Sequence, residues 1–580
     1  LLNEGPACTV RAPLDRPIED HRPDGSVWRT TYDATGAIAT RVDGRGKTTS
    51  YTYDHQHRLH AKTDPLGRAT TYDYDGAGDL VSAERPDGST RALSYDDAGR
   101  LTGVDESGGT SDDAGFTYDA DGDRTSMTDG TGTTSYTYDV AGRLQSQRSA
   151  AGQTTTYHYD SWSRVTSIDY PDALSVVATG SAPAHVSTGT VTRSYDGDDD
   201  LTGVTDWLGH TTTFAYDGDD DLSGVTRPNG VDATYGYDDV DALTSITDDT
   251  PATSLARDDE RQLSGTDDGT SPTSLSYDDA DRLTSAVGRA YAYDDSDDLT
   301  QTATAAGAPV TQQFDDAGEL TGRTTAGIPV ATLGYDDDGQ RTSMTPSGGG
   351  GATTYAWTHA GRLASYTGPD LTGGGATTAT ESYTYDGDGL RQTVTTGDQR
   401  RHEAWDISGS TPLMITDGPT SYVTGPGGLP VEQIAADGTV RYFSHDQLGS
   451  TTALTDADGT TAQRYSYDAY GQLTSATPTI ENPFQFAGQL TDATTGLQYL
   501  RARYYDPSTG QFLSRDPLEG DTLQPYAYAN DNPTNDVDPN GMFSVKELWA
   551  DGEEAVSRGL EGALGEADGI TSVLTSATSK

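Results

Sequence analysis

Two Asp-Pro pairs near the end of the chain hold the residues best suited to chemistry. Asp516 precedes Pro517 and Asp538 precedes Pro539, within SRDPLEGDTLQPYAYANDNPTNDVDPNGM from Ser514, and the two aspartates stand 22 residues apart. Two carboxylates brought into one site cannot both ionise easily, so one keeps a proton. One member can then activate a water while the other protonates a leaving amide. Arg515, beside Asp516, is the candidate cation to orient a carboxylate or hold local charge. A plainer role fits the same residues: Asp-Pro starts turns, and a chain rich in Asp makes such pairs by chance.

Other constellations are weaker. His445 and Asp446 are adjacent, and packing or hydrogen bonding is the expected role. The ten His residues show no metal-ligand spacing such as HExxH. Cys8 has no second Cys to pair with and lies far from any His, so it reads as inert. No phosphate loop or dinucleotide motif is present. No metal or cofactor is therefore expected.

The candidates must be positioned by a repeat. Tyr-Asp pairs begin at Tyr32, Tyr53, Tyr74 and Tyr95, each 21 residues after the last. More follow at Tyr118, Tyr138, Tyr159, Tyr195, Tyr216, Tyr237, Tyr277, Tyr293, Tyr335, Tyr385 and Tyr467, with Arg257-Asp258 and Phe314-Asp315 as diverged copies. One unit reads YTYDHQHRLHAKTDPLGRATT from Tyr51. Tyr51 and Tyr53 alternate, so they share one face of a strand. Asp54 opens a type I turn whose fourth position, His57, is Gly in sister units. Arg-Leu begins a returning strand, and DPLG at Asp64 makes a second turn. Each unit is thus about two strands and two turns.

Roughly nineteen such units give about forty strands, far beyond the ~10 that a twisted open sheet tolerates without curling. The chain has 34 Tyr but is only 32% hydrophobic. Aliphatic side chains are too few to fill the interior of so large a sheet. The expected fold is all-β: a large hollow spiralling antiparallel β-shell. A propeller would show Trp or Gly-His signatures, and a solid β-helix would need aliphatic ladders.

The units resemble the YD repeat, written YxYDxxGRLxxx, over most of residues 20–400. RYFSHDQLGSTTALTDADGTTAQRYSYDAYGQ from Arg441 and FAGQLTDATTGLQYLRARYYDPSTGQFLSRDP from Phe486 resemble the long signatures of bacterial Rhs proteins. This resemblance, to the family that includes teneurins and toxin-complex C shells, implies a β-cocoon that encloses a C-terminal toxin. It also implies that Asp516 and Asp538 form an aspartyl self-cleaving pair, with Arg515 beside them. The cut would fall between Met542 and Phe543. Three parts follow: a YD-repeat shell over 1–440, a signature and closing core over 441–542, and a variable tail over 543–580. The tail has helical spacing at Val545, Leu548, Ala555 and Leu560, and is expected to be a short α-helical cargo stub.

The implied function is a secreted or cell-surface shell that delivers its own C-terminal cargo between competing cells. An immunity protein for that cargo and an N-terminal delivery or anchoring domain outside this chain are the expected partners. The alternative is a surface adhesion protein that releases nothing. No basic stripe offers a nucleic-acid footprint, and no apolar run is long enough to span a membrane.

Charge sets the working conditions. The net charge is −54, with 75 Asp, 16 Glu and only four Lys, at Lys47, Lys62, Lys546 and Lys580. In YDGDDDLTGVT from Tyr195, Asp199 stands where sister units have Gly, which reads as acidification of turn positions rather than a calcium loop. Such a balance fits a salt-loving organism such as a haloarchaeon. Unscreened repulsion weakens the compact state, and salt shortens its reach. Thermal melts across a salt series should therefore rise from dilute buffer to molar salt. A flat series would remove the halophile reading.

Overall fold

A computed structural model describes residues 8–11, 16–107, 112–248, 252–302, 307–475, 479–518 and 523–546. Among them, 44 strands between Cys8–Arg11 and Thr461–Arg464 join in one antiparallel sheet. The all-β spiralling shell expected from the repeat is the fold observed. No helix among the described residues is long and apolar enough to cross a membrane.

Several repeats are held by one recurring clasp. In the unit of Asp139, the His-free turn Asp139–Gly142 closes through Gly142 N–H to the Asp139 carbonyl at 3.0 Å. Asp139 Oδ1 accepts the backbone N–H groups of Ala141 at 2.8 Å and Arg143 at 3.1 Å. Its Oδ2 accepts Arg143 Nε at 2.8 Å. The guanidinium then lies over the Tyr159 ring of the next unit, 4.6 Å from its centroid, and donates to the Asp160 carbonyl at 2.8 Å. Finally Tyr159 O–H reaches back to the Leu144 carbonyl at 2.7 Å. The set recurs with Arg58 and Tyr74, Arg100 and Tyr118, Arg164 and Tyr195, and Arg282 and Tyr293. Buried Tyr hydroxyls need such partners, and charge-assisted bonds are the stronger kind.

Diverged units keep the geometry with other donors. Arg257 Nε donates to the Leu243 carbonyl at 3.3 Å, as a Tyr hydroxyl would. Trp357 Nε1 and Trp405 Nε1 do the same to Arg341 and Arg391 carbonyls at 2.8 and 2.7 Å. The buried His445 ring sits between the carbonyls of Pro430 and Gly449, at 2.9 and 3.1 Å, and burial lowers its pKa to about 4.

The fourth turn residue takes a left-handed conformation, as a type I turn followed by a bulge requires. Gly142 has φ 79°, but Asp199, Asp220 and Asp241 adopt φ 76°, 66° and 62° in the same place. The acidic substitutions read from the sequence therefore fall where a side chain is least welcome.

The sheet winds over itself. Turns of the second kind, early in the chain, seat on Tyr-Asp turns some 250 residues later. Arg22 pairs with Asp297 across 275 positions, Arg68 Nη1 reaches the Asp336 carbonyl across 268, and Gly387 N–H reaches Asp129 across 258. An excursion between the strands Val165–Asp169 and Thr190–Tyr195 adds a tie: Val177–Ala178 pairs with Gln399–Arg400 of the later winding.

The expected C-terminal helix is not supported. Val545–Lys546 is a strand paired with Asp536–Val537, and 547–580 lies outside the described residues. Its first apolar residue serves a sheet edge instead of a helix face.

Two substitutions probe the clasp. Arg143→Ala removes an ion pair, a carbonyl bond and a ring contact, and should lower stability by about 1–2 kcal/mol. Asp220→Gly relieves the left-handed Asp and should raise it by about 0.5 kcal/mol. Urea melts of the two variants should move in opposite directions.

Candidate functional site

Beyond the spiral, the chain builds a small four-stranded sheet from Leu490–Thr491, Gln498–Tyr499, Tyr504–Asp506 and Gln511–Phe512. Buried ion pairs dock it on the shell. Arg341 Nη1 donates to Asp506 at 2.8 Å, and Arg391 Nη1 donates to Asp492 at 2.9 Å while its Nε meets Glu403. Tyr526 O–H reaches the Gly339 carbonyl at 2.7 Å.

Asp516 and Asp538 converge here. Asp516 follows the last of these strands, and its backbone N–H is fixed by the Pro525 carbonyl at 2.8 Å. Asp538 follows Asp536–Val537. Both are buried, 6% and 2% exposed. Each carboxylate uses Oδ1 to cap its own turn. Asp516 Oδ1 accepts Leu518 N–H at 2.8 Å, and Asp538 Oδ1 accepts Gly541 and Met542 N–H at 2.7 and 3.1 Å. Their Oδ2 atoms then face one nitrogen. Arg503 Nη2 lies 3.6 Å from Asp516 Oδ2 and 3.5 Å from Asp538 Oδ2.

Arg503 is the cation the sequence did not single out. It is 3% exposed and stacks on Phe512, 3.6 Å from the ring centroid. Its Nε donates to the Gly541 carbonyl, immediately before Met542. Arg515, expected beside the pair, instead reaches Asp64 of a first-winding turn, Nη1 to Oδ2 at 3.1 Å. Arg503 lies in the quoted stretch RARYYDP, but alternating Arg residues there give no sign of which one turns inward. Arg501, two positions earlier, holds the Pro539 carbonyl at 2.9 Å and so steadies the loop that carries Asp538.

Met542 and Phe543 are half-buried in the loop between the paired strands Asp536–Val537 and Val545–Lys546. Gly541 must be Gly. Its φ is 77°, and a Cβ there would meet the Leu500 carbonyl at 2.8 Å. Burial raises the Asp538 pKa to about 6; the Arg503 charge opposes this and the Asp516 charge adds to it. The arrangement can therefore hold one proton between two carboxylates next to a constrained peptide segment.

Known proteins match this chain in two regions. The RHS Repeat model matches 53–90, 74–111, 95–134, 118–153, 138–174 and 195–232, and the Teneurin YD-shell model matches 421–534. The chain therefore carries RHS repeats and a YD-shell segment. Among curated relatives, the tRNA3(Ser)-specific nuclease WapA of Bacillus spizizenii is 34% identical over 174 residues, 28% of this chain and 7% of that protein. The toxin protein Tse5 of Pseudomonas aeruginosa is 36% identical over 118 residues, 20% of this chain and 9% of that protein. The chain thus spans a small part of these relatives' length. Its fold is that of a chain in the Photorhabdus luminescens Tc holotoxin pore, with TM-score 0.54 at 16% identity over 94% of this chain and 34% of the other.

The raised Asp538 pKa has a stability consequence. The folded site holds a proton that the unfolded chain releases near its ordinary value of 3.8. Its contribution is present below about pH 4 and is lost as pH rises through about 6, by an amount on the order of 3 kcal/mol. Asp538→Asn copies the neutral form, so it should flatten that section of the pH–stability curve. Denaturant melts at stepped pH would detect it, and an unchanged slope would contradict the assignment.

Proposed function

We propose that this shell encloses a C-terminal toxin or other cargo, delivers it in competition between cells, and frees it by cutting itself after Met542. The observation that carries the reading is the buried pair Asp516 and Asp538 meeting at one Arg503 nitrogen, with Asp538 also bound to Met542 N–H. The reaction is an aspartyl hydrolysis. The ionised carboxylate takes a proton from a water, whose oxygen adds to the Met542 carbonyl carbon. The protonated carboxylate gives its proton to the Phe543 nitrogen as the C–N bond breaks. A carboxylate at Met542 and an amine at Phe543 result. Asp538, with the raised pKa, carries the shared proton at the start.

In this reading 1–440 is the wall, 441–542 closes it and holds the site, and the segment from Phe543 is the start of the cargo. An immunity protein protects the producing cell, and an N-terminal domain handles delivery or anchoring. The setting is secreted or at the cell surface, and the charge of −54 suits it to high salt. Similarity to a nuclease WapA and to the toxin Tse5 supports the toxin-shell reading.

Mass spectrometry of the purified chain should find a fragment that begins at Phe543. Asp516→Asn and Asp538→Asn should each slow its appearance by roughly 100-fold or more, with circular dichroism unchanged. Cleavage at the same bond in both variants would falsify the assignment. An uncut wild-type chain would favour the adhesion reading, with both Asp-Pro units serving as turns.

A further inference from the structure

The site contains a charge that the two-carboxylate scheme leaves unused. Arg503 is 3% exposed, so its guanidinium has little water to solvate it. Three of its features bear on the same few atoms. Nη2 stands 3.5 and 3.6 Å from the two Oδ2 atoms, Nε donates to the Gly541 carbonyl, and the plane is pinned against Phe512. A fourth feature is unexplained by packing. Nη1 is a buried donor with no hydrogen-bond partner among the described residues. A buried unpaired donor on a charged group is costly, and folded proteins rarely keep one without a use.

We propose that Arg503 is the third member of the self-cleavage site: it holds Asp516 and Asp538 in register through Nη2, fixes the Gly541 carbonyl through Nε, and offers Nη1 to the Met542 carbonyl oxygen as negative charge builds there. This rests on the self-cleavage reading above. Arg503 exchanges no proton in the step. Water supplies the oxygen, the carboxylates move the protons, and the guanidinium stays charged throughout. Its fork is what the task needs, since the donors lie in one rigid plane and serve separate acceptors at once. Lys in its place would bring the charge without the fork. Arg515, engaged with Asp64, tightens the docking of the closing segment instead.

The test follows cleavage in time on the full chain made by cell-free synthesis, across pH, for wild type, Arg503→Lys, Arg503→Gln and Arg515→Gln. Arg503→Lys should cut roughly 100-fold more slowly, with the alkaline limb of the pH profile near that of wild type. Arg503→Gln should cut at least as slowly, and its alkaline limb should move up by about one pH unit, because a nearby cation no longer favours the ionised pair. Arg515→Gln should cut at close to the wild-type rate while melting earlier. A merely structural Arg503 would lower the melting point but leave the pH profile in place. Wild-type rates in either Arg503 variant, or an unmoved limb in Arg503→Gln, overturn the proposal. Should Arg503→Gln fail to fold, the rate of Arg503→Lys decides. Failure of the underlying reading looks different: wild type stays whole, or Asp516→Asn is cut as fast as wild type.

Discussion

The shell depends on Tyr hydroxyls that tie each strand back to the one before, reinforced in five units by an Arg guanidinium and an Asp carboxylate that lock one turn to the next. An antiparallel ladder alone fixes strands only to their neighbours, and a polar sheet can slip in register. Here Arg143 is tied to its own turn through Asp139, to the next turn through the Asp160 carbonyl, and to the next strand through Tyr159. Tyr159 returns the link through the Leu144 carbonyl. Each unit therefore sets the height and angle of its successor. The result is a wall that keeps its curvature with few aliphatic side chains, because amphipathic rings and paired charges do the packing.

The closing segment draws on the same chemistry. In a repeat turn, Asp Oδ1 gathers backbone N–H groups and Oδ2 takes the guanidinium of the residue four positions on. At Asp516 and Asp538, Oδ1 still caps the local turn, but neither is followed by an Arg at that distance. Both Oδ2 atoms turn to Arg503 instead. The turn cap and the approach to Arg503 are thus one geometry, with different atoms of the same carboxylate engaged in each.

Much of this was legible in the sequence. Period, strand pairing within a unit and the Gly-favouring fourth turn position all follow from local spacing, and even Arg257 could be recognised as standing in for a Tyr. What spacing does not carry is contact between distant turns. Nothing near Asp64 announces that Arg515 will reach it. Arg503 was overlooked for the same reason, since its neighbours Arg501 and Tyr504 are equally plausible inward residues. In the tail, apolar spacing fits a helix, but of the residues that carry it only Val545 lies among the described residues, and there it pairs with Val537 in a strand.

The overlap of windings orders the folding of the chain in time. A hairpin needs only the next ten or so residues, and forms on the microsecond scale. The seat of Arg22 on Asp297, or of Gly387 on Asp129, must wait until more than 250 further residues exist. During synthesis at ~5–20 residues per second, the first winding therefore stands for tens of seconds with its lower rim uncovered. Closure is a late, high-contact-order event. Arg503, Asp516 and Asp538, which belong to the segment docked on the second winding, meet only after that rim is covered. The architecture thereby makes the meeting of these three buried side chains a report that the wall beneath them is complete.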